Sequence, residues 1–366
     1  MFLNQNSDFL FGFQASMTNC NGDPDQENKP RMDYETSTLL VSDARRKRDI
    51  RDFLKNKGYS VFVDTLADKK VPMDVMFEHV RDYWLANNSQ MEKLLNENSY
   101  LAEKWKLLYG EAKDNFKDIY HKKNDGIKKK AKKDLNESEK IFLKGLPEFN
   151  NLFLTEIIKR SLIDIRLFGS AMAVEGVSRT YTGPVQITWG YSLHPVELVK
   201  SNTITSIMNE DSSTFGKKHK LYYALVAHYG TINKYSARLT GMTENDQDLL
   251  RKCLVQGLMS NQTDSKQGQE PLFYLEIVYR PDFDGYLGDL RRFLKVGYDE
   301  DKPIRKLEDL KVDFNKLTSA VQEMKDKGYV EKMLGWLHPS YIKSNQLINM
   351  PEFDPVDLWA PIKARE

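Results

Sequence analysis

Residues 8–18 alternate strictly with a period of two, and this pattern narrows the possible folds more than any other. Phe9, Phe11, Phe13, Ala15 and Met17 fall on one side; Leu10, Gly12, Gln14, Ser16 and Thr18 fall on the other. Successive side chains of a strand point to opposite faces, so the segment reads as a strand with an apolar inner face and a small, polar outer face. The outer face leaves room for something to lie on it. Asn19-Cys20-Asn21-Gly22-Asp23-Pro24-Asp25 opens a loop over 19–35. Gly, Pro, Asn and Asp each bend the backbone there by their own mechanism. Ser42 or Asp43 can cap the helix that follows, at about 42–57.

In that helix Ile50, Phe53 and Leu54 form the apolar face. Arg46 and Lys47 lie at its margin, Arg45 and Arg48 point away beside Asp49 and Asp52, and Arg51 lies between the two sets. Pairs such as Arg48–Asp52 are worth a few tenths of a kcal/mol (~0.2–0.5). Cations close to a helix N-terminus oppose its dipole, and a bound phosphate relieves that repulsion. A turn that joins backbone amides and cations at the end of a strand suits a polyanion.

Net charge does not announce such a partner. The 54 basic residues are offset by 53 acidic ones, so any basic surface must come from clustering. Cys20 and Cys253 are the only cysteines, which excludes a disulfide scaffold or a cysteine-built zinc site and fits a reducing cytoplasm. The histidines are scattered without HExxH spacing. Asp23 and Asp25 do not continue into a calcium loop and read as turn formers. No metal and no cofactor are expected. No run approaches the roughly 18 apolar residues of a membrane span, and the N-terminus lacks a secretory signal pattern. The expected setting is the cytoplasm, with no membrane partner.

Further along, Tyr59–Val63 reads as a short strand, and 70–160 as long charged helices. Met73, Met76, Phe77, Val80 and Trp84 form one core stripe; Met91, Leu94, Leu95, Leu101, Trp105 and Leu108 form another. Lys122 to Lys133 is lysine-rich, with a break expected at Asp125-Gly126. Leu152–Leu167 is helix-like and stops at Gly169. Val185, Ile187, Trp189 and Tyr191 alternate with Gln186, Thr188, Gly190 and Ser192, a second strand with one small, polar face. Two such strands predict a sheet with helices on one side and an open platform on the other, as in four-stranded RNA-binding modules. Residues 196–220 read as a projecting hairpin. Leu221–Ile232 and Leu272–Tyr279 read as strands, separated by a helix that Thr243 and Asp246 cap. Leu307, Leu310, Phe314, Leu317, Val321 and Met324 have helical spacing, with Gly328 as a stop. The order is that of an α+β, ferredoxin-like or RRM-like core with insertions.

Asn21-Gly22-Asp23-Pro24-Asp25, Pro30-Arg31-Met32-Asp33, Val41-Ser42-Asp43 and Lys47-Arg48-Asp49-Ile50-Arg51 resemble the N-terminal signature of Cascade backbone proteins. These are RAMP-type CRISPR-associated subunits of type I systems, closest to subtypes I-B and I-C. Asp164-Ile165-Arg166-Leu167-Phe168-Gly169, Gly183-Pro184-Val185-Gln186, Phe215-Gly216-Lys217-Lys218-His219 and Leu239-Thr240-Gly241 agree in the same order. Cys20 departs from the pattern, standing where many members have proline.

The resemblance implies a modified RRM palm (1–64, 161–195 and 221–290), a helical finger insertion (65–160), a thumb hairpin (196–220) and a C-terminal extension (291–366). It implies a non-catalytic subunit that multimerises along a guide RNA (crRNA), gripping phosphates and sugars, while base pairing of the guide reads the target DNA. The implied partners are crRNA, target DNA, further copies of the chain, a RAMP-type cap, a large subunit and a crRNA-processing endonuclease. Asn21, Arg31, Lys47, Arg48, Arg51, Arg166, Gln186, Lys217, Lys218 and His219 are the implied RNA contacts, and Ile207, Met208 or Phe215 the thumb wedge. The alternatives are a metal-dependent subunit of the same superfamily that cleaves target RNA through Asp23, Asp25 or Asp33, and a general RNA-binding protein. No His or Lys pairs with those aspartates as acid or base, so no catalytic residue is expected.

Overall fold

Strand β1 (Ser7–Ser16) lies inside a nine-stranded sheet because both of its edges find long antiparallel partners. In the computed structural model, which describes residues 3–62, 73–112, 114–130, 132–174, 177–209, 212–341 and 345–364, the chain divides into two compact units. One comprises 1–59 and 184–366, the other 60–183.

The first unit holds β1, β2 (Thr38–Val41), helix α1 (Asp43–Asn56), β3 (Val185–Ile187), β4 (Gly190–Ser192), β5 (Tyr223–Ile232), helix α2 (Glu244–Ser260), β6 (Gln269–Tyr279) and β7 (Val330–Leu337). The sheet runs β7-β6-β1-β5-β4-β2, with β3 also pairing with β5. Asp354–Pro355 adds beside β7, and Met32–Asp33 beside β2. On one face Arg46 of α1 lies over the Phe11 and Phe13 rings, and Gln247 and Arg251 of α2 bond Glu276, the residue opposite Phe9 on β6. Ser42 caps α1, and Thr243 and Asp246 form the reciprocal capping box of α2.

The opposite face is not an open platform. Leu10, Leu225, Ala227, Phe273, Leu275 and Ile277 form one buried cluster there with Leu290, Leu307, Leu310, Phe314, Leu317 and Val321. The small residue Gly12 is space for a neighbour rather than for a ligand: a Cβ there would lie 2.3 Å from the Phe273 ring. The stripe from Leu307 to Met324 is also not one helix. Leu310–Asp313 is a strand paired with Lys295–Tyr298, and the helix spans Asn315–Asp326.

The 183–192 strand is broken. β3 and β4 pair with β5 in registers offset by one residue, as a bulge produces. Side-chain parity flips across it: Ile187 and Gly190 are buried while Trp189 is 45% exposed. The expected single apolar face therefore ends at Ile187.

In the second unit, helices Met73–Ala86, Asn88–Glu97, Ser99–Tyr109, Phe116–Lys128 and Glu137–Ser161 enclose a core of Phe77, Trp84, Leu94, Trp105, Phe149 and Phe153. Trp105 meets Phe116 and Phe149 edge-on at 5.2 and 5.8 Å. The helix over 116–128 runs through Asp125-Gly126 without the expected break. A glycine inside a helix costs only about 1 kcal/mol relative to alanine. Helix Ile163–Phe168 ends at Gly169, whose φ of +70° favours glycine. Tyr59–Phe62 forms no strand. The backbone N–H of Phe62 donates to the Asp164 carboxylate at 2.7 Å, and the Ser60 carbonyl accepts from Ile163 at 3.2 Å. Val63, the end of that expected strand, lies outside the described residues.

Candidate nucleic-acid interface

At the C-terminal end of β1 three segments are tied together by main-chain hydrogen bonds. Ser16 and Asn19 donate to Gly268 and Ser265, each at 2.9 Å, and Leu221 donates to Thr18 at 2.9 Å. The loop that leaves β1 folds back on itself: Asn28 donates to the Asp23 carbonyl at 2.9 Å and Arg31 to Asn21 at 3.0 Å. Asn21 then fastens this loop to α1. Its Oδ1 accepts from both the N–H and the hydroxyl of Ser42 at 2.8 Å, and Ser42 Oγ caps the Arg45 N–H. The turn-rich loop, the start of the basic helix and the base of the 196–220 hairpin are thus joined in one region of the sheet unit.

The cations of this region are matched by carboxylates. Arg31 meets Asp23 at 3.4 Å, Lys47 meets Asp43 at 2.9 Å, and Arg48 meets Asp52 at 2.7 Å. Lys217 meets Glu27 at 3.1 Å and Lys218 meets Asp264 at 2.8 Å. Lys217 holds the Glu27 carboxyl below its ordinary value, and Lys218 does the same for Asp264. Exposed pairs of this kind are worth about 0–1 kcal/mol. A phosphate can take a carboxylate's place at small cost. Arg51 is half-buried on α1.

Gln186 is exposed on β3. Arg166 belongs to the helical unit, is 8% exposed, and donates to the Lys159 and Arg160 carbonyls at 2.9 and 3.3 Å, at the end of helix Glu137–Ser161. Ile207, Met208 and Phe215 lie in a hairpin of Thr203–Asn209 and Ser212–Lys217. Its register slips between Ile207 and Asn209, so Met208 sits at an irregularity.

Of the aspartates considered as catalytic, Asp23 and Asp33 shape turns. Asp23 accepts from the Asp25 N–H at 3.2 Å, and Asp33 accepts from the Glu35 N–H and the Thr36 hydroxyl at 3.1 and 2.7 Å. The Thr36 hydroxyl holds the Asp33 carboxyl below its ordinary value. Among the described residues no three His, Cys, Asp or Glu side chains are grouped to hold a metal. No helix among them is long and apolar enough to cross a membrane. Cys20 is buried, which pushes its thiol up to about 12.

Four residues central to this region have roles that the sequence pattern does not predict, since it sets Arg46 only at the margin of the apolar face and Asp49 beside the arginines that point away from it. Arg46 is fully buried, its guanidinium carbon 4.8 Å above the Phe13 ring, and pairs with Asp49 at 3.2 Å. Asp49 is 4% exposed and also meets Arg45 and, at 3.7 Å, Lys266, while its carbonyl accepts from Asn261 at 3.0 Å. For Arg46 a signal existed, because it lies one turn before Ile50 and two before Phe53, within the buried stripe. Asn261 and Lys266 are distant in sequence and leave no local trace.

A family model described as CRISPR-associated protein Cas7 matches residues 5–315. A Haloferax volcanii protein described as CRISPR-associated protein Cas7 is 23% identical over 344 residues, covering 88% of this chain and 84% of that protein. Among solved structures, a chain of a CRISPR RNA-guided surveillance complex in a pre-nicking state aligns over 97% of both chains with a TM-score of 0.51 at 12% identity. This last likeness is one of fold.

Proposed function

Since this chain belongs to the CRISPR-associated Cas7 family, we propose that it is a non-catalytic subunit that binds guide RNA and multimerises along it as the backbone of a type I interference complex. The observation that carries this reading is the joining of the Asn21 loop, the capped start of α1 and the hairpin base at one end of β1. Backbone amides, exchangeable cations and a projecting hairpin together suit a regular grip on a polyanion.

The central strands β6-β1-β5-β4, with α1 after β1 and α2 after β5, follow the order of a split βαβ unit. This supports reading the sheet unit as the palm. The helical insertion is then the finger region and 203–217 the thumb, with Ile207, Met208 or Phe215 as its wedge. Because the C-terminal segments cover the second sheet face, the RNA runs past strand ends and loops rather than across the sheet as in an ordinary RRM. The use of Asp23 and Asp33 in turns supports the non-catalytic assignment. The proposed setting is the cytoplasm, in a particle with crRNA, target DNA and the other Cascade subunits.

Binding of guide RNA across a salt series tests this grip. Lys47→Ala with Arg48→Ala should weaken binding and lower the slope of log affinity against log salt by about 1.4, roughly 0.7 for each single-strand phosphate that is no longer neutralised. A variant that keeps the wild-type slope removes these two residues from the interface.

A further inference from the structure

Two buried polar atoms at the hairpin base and the adjoining loop lack a partner among the described residues, and they are of opposite kind. His219 is 9% exposed, and its Nδ1 lies 3.0 Å from Asn202 Nδ2. An amide nitrogen only donates, so Nδ1 accepts, and the ring proton stands on Nε2, the unpartnered atom. Asn19 is 7% exposed. Its Nδ2 donates to the Asn28 carbonyl at 2.8 Å, which fixes the amide orientation and leaves Oδ1 as an unpartnered acceptor. The Leu221–Thr18 hydrogen bond holds the two segments together.

A phosphate matches only half of this arrangement. It accepts from an N–H but repels a buried carbonyl oxygen. A hydroxyl both donates and accepts, and the 2′-hydroxyl is the group that separates RNA from DNA. We propose that His219 Nε2–H and Asn19 Oδ1 receive ribose 2′-hydroxyls, so that the hairpin base selects RNA over DNA independently of base sequence. This rests on the RNA-binding reading above and adds to it the chemical feature by which the guide is recognised.

The test compares guides of one sequence carrying 2′-hydroxyl or 2′-fluoro sugars. Fluorine keeps the sugar pucker but cannot donate a hydrogen bond to Asn19 Oδ1 and accepts one from His219 Nε2–H only poorly. Wild-type protein should prefer the hydroxyl guide by roughly threefold to tenfold per bound copy, the worth of about one hydrogen bond. His219→Ala should lower that preference to the part that Asn19 supplies while leaving affinity for the fluoro guide unchanged. His219→Gln, which keeps an N–H donor, should restore part of it. Lys218→Ala should weaken both guides equally, and thermal melting reports whether each variant folds. Equal loss on both guides in His219→Ala, or no preference in the wild type, overturns the proposal while leaving RNA binding intact. A wild type that binds neither guide overturns the RNA-binding reading itself.

Discussion

Glu276→Ala should lower the stability of the sheet unit by about 3–5 kcal/mol, the usual cost of stranding a buried charge. Glu276 is fully buried on β6. Its carboxylate accepts from Arg251 Nε at 2.6 Å and Nη2 at 3.1 Å, from Gln247 at 2.9 Å and from the Tyr274 hydroxyl at 2.8 Å. Truncation leaves Arg251, itself 8% exposed on α2, without its main counter-charge. Burial alone pushes the Glu276 carboxyl up, but Arg251 and the hydrogen bonds outweigh it, and the carboxyl lies below its ordinary value of 4.5. A depressed carboxyl contributes stability that is present above the unfolded-state value and lost as pH falls through the folded-state value. The gap between wild type and Glu276→Ala in urea unfolding should therefore be full at pH 7 and shrink below about pH 4.5. Glu276→Leu combined with Arg251→Met should recover much of the loss, because a buried pair exchanged for apolar residues of similar volume is often neutral or stabilising. Losses that simply add in the double variant would show that the two side chains are not coupled.

The pair at Arg46 and Asp49 should behave asymmetrically. Asp49→Ala leaves the buried Arg46 guanidinium against Phe11 and Phe13 with its ion-pair partner gone, and should cost about 3–5 kcal/mol. Arg46→Met should be near neutral, because the two rings accept a thioether well. Burial already draws Arg46 below its ordinary value, while Asp49 supports its charge. The same hub ties α1 to Asn261 and Lys266, so Asp49→Ala should also weaken RNA binding under conditions where the variant is folded. By simple Coulomb attraction, deleting an anion should strengthen binding to a polyanion. A rise in affinity would therefore contradict a positioning role for Asp49, and a fall supports it.

What was legible in the sequence was local. The alternation at 8–18 marked β1, the Ser42 and Thr243 caps marked α1 and α2, and the stripe residues from Phe77 to Leu108 pack in the helical core. What was hidden depends on distant partners. Gly12 and Gln14 look like an exposed face until the Phe273 ring is seen to close over Gly12. The run Leu272–Tyr279, apolar on both faces except at Glu276, was the available sign that both faces are covered. The bulge between β3 and β4 leaves no mark in a hydrophobic pattern, so Trp189 was assigned to the wrong side. Leu307 to Phe314 kept helical spacing by chance over a turn and a strand. The basic residues were visible, but their carboxylate partners were not: Lys217 and Glu27 are 190 residues apart, and only the fold brings them within 3.1 Å.

The most direct test is the mass of the particle formed when the chain is co-expressed with a guide RNA. A backbone subunit predicts several copies on each RNA, a mass that steps with guide length, and dispersal of the assembly when the RNA is digested. A monomer whose mass ignores the guide would contradict the account.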